Sequence, residues 1–562
     1  MEPTGSGKPD LDPLHLNVPD HTNWSRNNIA EAIPGVCTAL GFTFWFEPNN
    51  LGVLRGFRAV GACGRSEVKM PERPEDFFFG AFFGQAAINL GAQQPFFDRV
   101  PLYSRSTMEE VMMSKDGDGP AVGGRRPAFR FPVSRVARML WTALWLPRRQ
   151  AALRLETDRW WTRAVGAGKP RTIEGAVDTI VDAHDRFVRI METHMATGMI
   201  MGLLYARLAR LVASAGHPGL ETELVTGARG IDETEVLNDL WEVAHGRTGL
   251  DDFIRRHGFH GTAEGQLSEP SWREDPTLLA SQIEEMRVRP EEQSPGSLQR
   301  ARERSRAEAQ RSFLAQLPVA QRTKARLLLG LARRFVQLRE TSKASFLRVI
   351  DAARCAARAL GDRLANAAAL ESARHIFHLT LSEIADPAFR DDPAALRETI
   401  ARRIAQRETY LNIELPFSFS GVPKPLDRQP QETKPEDAET GEPGMPKTIA
   451  GMGVSRGIAE GRVRVLTGSD GDARIESGEI LVCPTTDPSW AGLLMLASGA
   501  VIDMGGSLSH GAVVARELGI PCVMNTGNGS NILRTGDRVR MDGSTGIVEI
   551  LQASPTGGPA PP

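Results

Sequence analysis

One polar segment, LDRQPQETKPEDAETGEPGMPK at residues 426–447, divides this chain into two parts that must bury separate cores. The segment is rich in Pro, Glu, Asp and Thr and has too few apolar side chains to fold alone, so it predicts a flexible linker. Random-coil scaling puts its ends roughly 25–30 Å apart on average. The chain is therefore predicted to be multidomain, with domains at residues 21–425 and 448–552, a flexible arm at residues 1–20 and a disordered tail at residues 553–562.

Hydrophobic spacing differs on the two sides of the linker. Between residues 130 and 412 apolar residues recur every three or four positions, which predicts a large, mainly α-helical (α+β) domain. The first 125 residues hold more Gly, Pro and Phe and predict short strands and loops. After the linker, short β-rich runs, a hairpin and a single helix at His510–Leu518 predict a small α/β domain. The clearest helical spacing is at residues 176–213, 276–288, 323–360 and 393–412.

Composition narrows the possible partners and the compartment. The 67 basic and 69 acidic residues give a formal charge of −2, so no global field attracts nucleic acid or anionic lipid. The five cysteines form no CxxC pair and predict buried free thiols in a reducing cytoplasm. The N-terminus lacks a signal-peptide pattern, and no apolar run reaches the ~20 residues that cross a bilayer. We therefore expect a cytoplasmic protein without a nucleic-acid or membrane partner.

The stretch GGSLSHGAVVARELGIPCV, residues 505–523, places one histidine at the start of the predicted helix. Ser507 or Ser509 can supply the N-cap, and Gly519 followed by proline ends the helix. The first turn of a helix has unpaired N–H groups that favour an anion by ~0.3–1 kcal/mol. His510 at this place therefore suits a dianionic phosphohistidine, to which the two serine hydroxyls can donate hydrogen bonds. The simpler alternative is a histidine that only caps the helix.

Together with ILVCPTTDPSW, SGAVIDMGG and LRTGDRVRMDGSTGIVEIL, this stretch resembles the mobile, swivelling phosphohistidine domain of the phosphoenolpyruvate-utilising enzyme superfamily. The resemblance implies that His510 is the phosphorylated residue. For Arg516, a salt bridge to Glu517 or a contact with a neighbouring loop is an equal alternative to a role at the phosphate. The resemblance predicts that the phosphoryl group is bound by Gly506, Ser507, Ser509, Gly511, Thr485, Thr486 and Arg516.

Five short sequence motifs, which occur in order along the chain before the linker, are similar to the substrate-binding part of rifampicin phosphotransferases. By that resemblance the protein is a phosphotransferase that works in two stages. ATP charges the histidine, the small domain moves on its linker, and the histidine gives the phosphoryl group to a hydroxyl of a small organic substrate. The motifs are NWSRNNIAEAIPGVCTAL (23–40), FHGTAEGQLSEPSWREDP (259–276), LRETSK (338–343), HIFHLTLSEI (375–384) and LPFSFSG (415–421).

Within LRETSK, Arg339 and Lys343 are four residues apart and share one helix face. Like charges at this spacing cost a few tenths of a kcal/mol unless an anion lies against them. The resemblance implies that Arg339 and Lys343 stabilise the phosphoryl group in transit, while Glu340 orients them or takes the hydroxyl proton. The alternative is an ordinary solvated helix face. Arg26 and Glu31, in the motif at residues 23–40, are predicted to bind substrate.

No nucleotide-binding Gly-rich loop with basic partners is recognised before the linker, so we expect ATP and Mg²⁺ to act through a separate ATP-grasp subunit. His257, His260 and Glu264 could suggest a metal site, but no third ligand has helical spacing, and a packed polar loop is favoured. We expect no metal on this chain. Two other functions stay open: a condensation or ligase-type subunit that uses a phosphorylated intermediate, and a non-catalytic binder of a hydrophobic molecule beside the Phe-rich residues 77–91.

Overall fold

The computed structural model describes most of the chain on both sides of the predicted linker. Residues 427–447 of that linker, residues 1–11 of the predicted arm and residues 555–562 of the predicted tail lie outside the described part. The described residues are 12–27, 29–101, 133–166, 170–217, 219–225, 232–426, 448–466, 475–476, 478–486, 490–506 and 509–554.

The N-terminal region combines a small antiparallel sheet with short helices. The sheet has the order β2-β3-β1-β4. The expectation of only short strands and loops here is partly wrong, because a π-helical turn at Pro48–Gly52 joins two helices into an almost continuous one. The elements are β1 (Asn23–Ser25), α1 (Ile29–Ala32), α2 (Ala39–Glu47), α3 (Val53–Ala59), β2 (Phe79–Phe82), β3 (Gln85–Asn89) and α4 (Leu90–Phe97), with β4 (Ser418–Ser420) added from the end of the large domain.

Part of the predicted flexible arm is packed. Leu14 is buried, its carbonyl oxygen accepts a bond from Gly84 N at 2.8 Å, and Leu16 N donates to Ala81 O at 2.9 Å. Leu14, Leu16 and Val18 alternate along the chain, so they cover the β2–β3 hairpin with apolar side chains. The prediction of a flexible arm is therefore wrong for residues 12–20.

A bundle of long helices forms the body of the large domain. The predicted helix at residues 323–360 is confirmed as part of one uninterrupted helix of 48 residues, α12. Its apolar stripe packs against α6, the other core helix. The helices are α5 (Val133–Gly166), α6 (Ile173–Ser214), α7 (Leu220–Val225), α8 (Asp232–Ala244), α9 (Leu250–His257), α10 (Ala280–Arg287), α11 (Pro295–Gln316), α12 (Val319–Asn366), α13 (Leu381–Ala385), α14 (Pro387–Arg390) and α15 (Pro393–Leu411).

Among the described residues, α6 is the one helix whose length and composition would allow a membrane span. In its most apolar window, 56% of the residues are buried inside the structure. A core helix passes the same test, and the contacts of α6 with α12 are those of a core helix. All five cysteines are buried and unpaired, which confirms the expectation of free thiols.

A buried ionic cluster fixes α12 to the loop that follows α9. Asp351 is fully buried and accepts hydrogen bonds from Trp161 Nε1 at 2.8 Å and Arg273 Nη2 at 2.9 Å. Arg354, also buried, lies 3.6 Å from the same carboxylate and donates to the carbonyl oxygens of two loop residues. Because every charge in this cluster has a partner, the loop at residues 258–276 is held firmly against the helix.

The C-terminal domain is built on a mixed sheet of eight strands in the order β5-β12-β11-β7-β8-β9-β10-β6. Strands β7 to β10 run parallel, and the β11–β12 hairpin confirms the hairpin prediction. The predicted helix is confirmed with its predicted bounds, although two short helices accompany it. The elements are β5 (Thr448–Ala450), β6 (Met452–Ser455), β7 (Ile458–Val465), β8 (Ile480–Cys483), α16 (Ala491–Leu496), β9 (Gly499–Ile502), α17 (His510–Leu518), β10 (Cys522–Met524), α18 (Gly529–Ile532), β11 (Arg538–Asp542) and β12 (Ile547–Gln552).

The two parts of the chain share one apolar cluster. Leu237 and Trp241 of α8 belong to the same buried cluster as Trp490, Leu493 and Leu494, which lie at and just after the start of α16. The C-terminal domain therefore docks on α8 to α10, and this contact brings α17 to the large domain.

Candidate functional site

A cavity lies where the N-terminal region, α6, α12 and the start of α17 meet. Its empty volume is about 1640 Å³, including its opening to solvent. The wall is mostly apolar and includes Trp45, Phe78, Phe79, Met195 and Phe346. A large apolar cavity with a few polar groups is typical of a site for a small organic ligand. The polar side chains on the wall are Glu31, Asn49, Gln93, His194, Glu264, Arg339, Glu340, Lys343 and Ser509.

The predicted catalytic group on α12 lies on this wall. Arg339, Glu340 and Lys343 all line the cavity. Arg339 Nη1 lies 2.8 Å from Glu340 Oε1, and the Glu340 side chain is only 4% exposed. The buried carboxylate therefore orients one cation toward the cavity. Arg339 and Lys343 thus place two cations on the wall, which can attract an anionic ligand.

His194 on α6 is a site residue that the sequence analysis missed. It lines the same cavity, and its Nδ1 lies 2.8 Å from the hydroxyl of Ser342, which precedes Lys343. Burial, together with the positive charges of Arg339 and Lys343, lowers the pKa of His194 to about 3. The imidazole is therefore neutral at physiological pH. It lies inside a long helical run without a motif, so no sequence signal marks it.

The start of α17 has the predicted capping geometry. Ser509 is the N-cap, and its side chain accepts a bond from Ala512 N at 3.4 Å. Gly519 ends the helix in the left-handed conformation with φ 73°, as a C-terminal glycine should. His510 is the first residue of the helix. The side chain of His510 and the whole of Ser507 lie outside the described part of the chain.

Glu31 connects the cavity to this helix start. Its Oε1 accepts hydrogen bonds from Gly511 N at 3.0 Å and from the hydroxyl of Thr486 at 3.2 Å. A carboxylate therefore occupies the place at the end of the helix where an anion is favoured. Ser509 and Val513 of the C-terminal domain line the cavity beside Glu31.

Most of the remaining predicted phosphate-binding residues lie near the start of α17, whereas Arg516 lies elsewhere. Thr486 is buried at the contact with Glu31, and the neighbouring Thr485 has a buried hydroxyl without a hydrogen-bond partner. Gly506 supplies the carbonyl oxygen that accepts from Ser509 N at 3.0 Å. Arg516 donates to Val454 O of β6 at 3.4 Å. It lines a second cavity with Arg302, Arg306 and Arg456.

Arg26 does not line the first cavity. Its side chain is buried, and Nη1 donates to Leu415 O at 3.1 Å. Burial lowers the pKa of Arg26 to about 10. The residue therefore ties β1 to the chain before β4, whereas Glu31, its companion in the predicted pair, faces the cavity.

The residues considered for a metal site form two separate polar pairs. His257 Nε2 lies 2.6 Å from Asp239 Oδ2, while His260 bonds to Glu264 in the loop. Burial lowers the pKa of His257 to about 4. Within the described ranges no group of three or more His, Cys, Asp or Glu side chains could hold a metal ion.

Comparison with known proteins identifies two regions of the chain. Residues 475–546 match the family model for the PEP-utilising enzyme mobile domain, and residues 207–340 match that for the rifampicin phosphotransferase fourth domain. The chain therefore carries a PEP-utilising mobile domain, and it is rifampicin phosphotransferase-like, as its short motifs indicated.

Three curated relatives, all rifampicin phosphotransferases, show the extent of the similarity. The Streptomyces sviceus protein is 29% identical over 366 residues, which is 62% of this chain and 39% of the relative. The Bacillus subtilis protein is 27% identical over 58% of this chain and 38% of its own length. The Bacillus cereus protein is 42% identical over 105 residues, 19% of this chain and 12% of the relative. The chain thus spans about two fifths of the length of the first two relatives.

Proposed function

We propose that this chain, with its PEP-utilising mobile domain and its similarity to rifampicin phosphotransferases, is the substrate-binding and transfer component of a phosphotransferase. In this proposal His510 carries a phosphoryl group from an ATP-grasp protein. It delivers the group to a hydroxyl of a small organic substrate bound in the cavity of the large domain. The size and apolar wall of that cavity favour a bulky, hydrophobic substrate.

One observation carries the proposal. The helix that begins with His510 opens onto the cavity that Arg339, Glu340 and Lys343 also line, since Ser509 and Val513 form part of its wall. A carrier histidine must reach its acceptor in the transfer step, because the phosphoryl group passes only between reacting atoms a few Å apart.

The proposed transfer step is an in-line displacement at phosphorus. The oxygen of the substrate hydroxyl forms a new bond to phosphorus, and the bond between phosphorus and the His510 nitrogen breaks. Arg339 and Lys343 stabilise the charge that spreads over the phosphoryl oxygens. Glu340 is the candidate acceptor for the hydroxyl proton. His194, neutral at physiological pH, is assigned a hydrogen-bonding role beside the two cations.

Glu31 has a different proposed role from substrate binding alone. Its carboxylate bonds to the helix start of the mobile domain, which indicates that it positions α17 at the cavity. We expect a phosphoryl group on His510 to compete with this carboxylate, because both are anions attracted to the same end of the helix. Such competition would let the charged domain adjust its position before transfer.

The expected donor is an ATP-grasp protein that supplies ATP and Mg²⁺. We assign no step on this chain to Mg²⁺, since no group of three or more His, Cys, Asp or Glu side chains among the described residues could hold a metal ion. ATP with Mg²⁺ and a separate ATP-grasp protein is the donor in a first assay. Potassium phosphoramidate, which phosphorylates histidine without an enzyme, supplies a second donor that does not depend on the partner.

The test follows phosphate first on the protein and then on an acceptor. Either donor should give an acid-labile, base-stable phosphate on the peptide that contains His510, and His510→Ala should lack it. Addition of rifampicin as the probe acceptor should then move the label to the small molecule, as measured by mass spectrometry. Label that the ATP-grasp donor places on another residue of the variant would contradict the carrier assignment. Binding of rifampicin without transfer from a labelled protein would favour the non-catalytic binder.

A further inference from the structure

The first half of α5 exposes a continuous row of large apolar side chains. Leu140, Trp141, Leu144 and Trp145, which we call the exposed stripe, are between 44% and 63% exposed. Their spacing of one, three and one residues puts them on one side of the helix. Four neighbouring large apolar residues on a surface are unusual and mark an interaction site.

The opposite side of α5 is anchored in the core. Met139 and Leu146 are buried, the hydroxyl of Thr142 donates to Ala59 O at 2.6 Å, and Gln150 Nε2 donates to Thr197 Oγ1 at 2.6 Å. The helix therefore has a fixed orientation with one apolar side inward and another outward. Core packing explains the apolar residues on the inner side of α5, but it does not explain those of the exposed stripe.

The polar residues around the exposed stripe are basic. Residues 133–155 contain five arginines and no Asp or Glu. Arg138 and Arg148 are exposed, and the Arg148 guanidinium lies 5.1 Å from the centre of the Trp145 ring. Arg149 is neutralised by Glu192 at 2.9 Å, so Arg138 and Arg148 supply most of the outward charge. The overall charge of −2 hides this local excess.

We propose that the exposed stripe is an interfacial membrane anchor that binds an anionic lipid surface. Tryptophan and leucine on one side of a helix with arginine at its edges is the composition of helices that lie in the headgroup region. The tryptophan rings suit the boundary between headgroups and acyl chains, and each arginine attracts anionic headgroups. The core contacts of α5 keep it on the surface, so the helix lies on the bilayer and does not cross it.

A second copy of the chain fits the exposed stripe less well. Two copies paired through the same surface would bring Arg138 and Arg148 of each copy close to those of the other. Like charges brought together at an interface oppose association, whereas anionic headgroups neutralise both arginines. The charge pattern therefore favours lipid over self-association.

The proposal can be tested by flotation of the full chain with vesicles. One set contains phosphatidylcholine alone, and the other mixes phosphatidylcholine with phosphatidylglycerol. We expect the chain to float with the phosphatidylglycerol vesicles only and to be released by added salt, which screens the attraction. The double variant Trp141→Glu, Trp145→Glu should lose flotation. The double variant Arg138→Gln, Arg148→Gln should bind about 30-fold more weakly.

Leu327→Glu is the matched control, since Leu327 is an exposed apolar residue on α12, outside the exposed stripe. It should float like the unchanged chain, and thermal unfolding should show that all variants are folded. Failure of the unchanged chain to float, or flotation of the tryptophan variant, would overturn the proposal. So would a dimer in light scattering that the tryptophan variant separates, because the exposed stripe would then bind a second copy. None of these readouts involves phosphoryl transfer, so the result is independent of the proposed function.

Discussion

Two charged clusters lie on the same helix, α12, and differ in what faces them. Arg339, Glu340 and Lys343 border the cavity, while Asp351 and Arg354 are buried against the loop after α9. Lys343 and Asp351 are eight residues apart, or about 12 Å along the helix. In sequence the two clusters look alike, since each places acidic and basic residues within about one turn of the same helix.

The difference lies in the space that each cluster leaves for a ligand. The Asp351 carboxylate accepts from Trp161 and Arg273, and Arg354 is bonded to carbonyl oxygens, so the cluster leaves no place for a ligand. The cavity cluster instead borders a large empty space. A charged motif on a helix can therefore bind a ligand only where no other part of the protein packs against it.

The largest effect is expected from the buried cluster. Asp351→Ala removes the buried carboxylate that Arg273 and Arg354 share and should lower the free energy of unfolding by about 3–5 kcal/mol. Asp351→Asn, which keeps an oxygen for Trp161 Nε1, should recover part of the loss. Chemical denaturation measures both variants. The control Asp178→Ala changes an exposed residue of α6 and should have little effect. Equal stabilities for Asp351→Ala and the control would refute the comparison.

The next effect concerns the cavity cluster and appears in activity. Lys343→Met should slow transfer from phosphorylated His510 to the acceptor by about 10²–10³-fold, because it removes one group that stabilises the transferring charge. Lys343→Glu should abolish transfer. Both variants should still be phosphorylated on His510. Arg334→Glu, at an exposed position of the same helix, is the control and should transfer normally. Loss of His510 phosphorylation in the Lys343 variants would show that the role of this lysine is misplaced.

The smallest effect concerns the contact between the cavity and α17. Glu31→Gln weakens the attraction between a carboxylate and a helix start, worth about 0.3–1 kcal/mol. Exchange of the Gly511 amide should therefore become about 2- to 5-fold faster, as measured by hydrogen exchange with mass spectrometry. Glu174→Gln, in the first turn of α6, provides the matched control. Unchanged exchange at Gly511 would mean that Glu31 does not hold the domain.

Much of the fold could be predicted because it depends on local sequence. The helix α17 has its N-cap serine and terminal glycine within ten residues, and the β11–β12 hairpin has its own turn. The helices α2 and α3 were missed because proline and glycine between them suggested a loop. In the structure Gly52 and Gly56 let this segment approach α6 closely. A Cβ at either position would come within 2.9 Å or less of a methionine Cβ on α6. Only the tertiary contact explains why those glycines are helical.

Residues of the candidate site could be predicted where they lie in a recognisable sequence motif. Arg339, Glu340 and Lys343 were found through a family resemblance, and the structure brings them to one wall with Glu31. His194 could not be found, because its place in the site depends on the packing of α6 against α12. The exposed stripe was hidden for a related reason. Its apolar residues are visible in the sequence, but which side of α5 is buried is decided by the core.

The 48-residue helix α12 also constrains how this chain can vary in length. One residue inserted between Lys343 and Asp351 would rotate everything beyond it by ~100° and shift it by ~1.5 Å. Either the three charged residues would then turn away from the cavity, or the Asp351 carboxylate would turn away from its hydrogen-bond donors. Residues 344–350 are buried, so homologous chains should keep both their number and their general size, and the fixed length of this interval should help to align distant sequences.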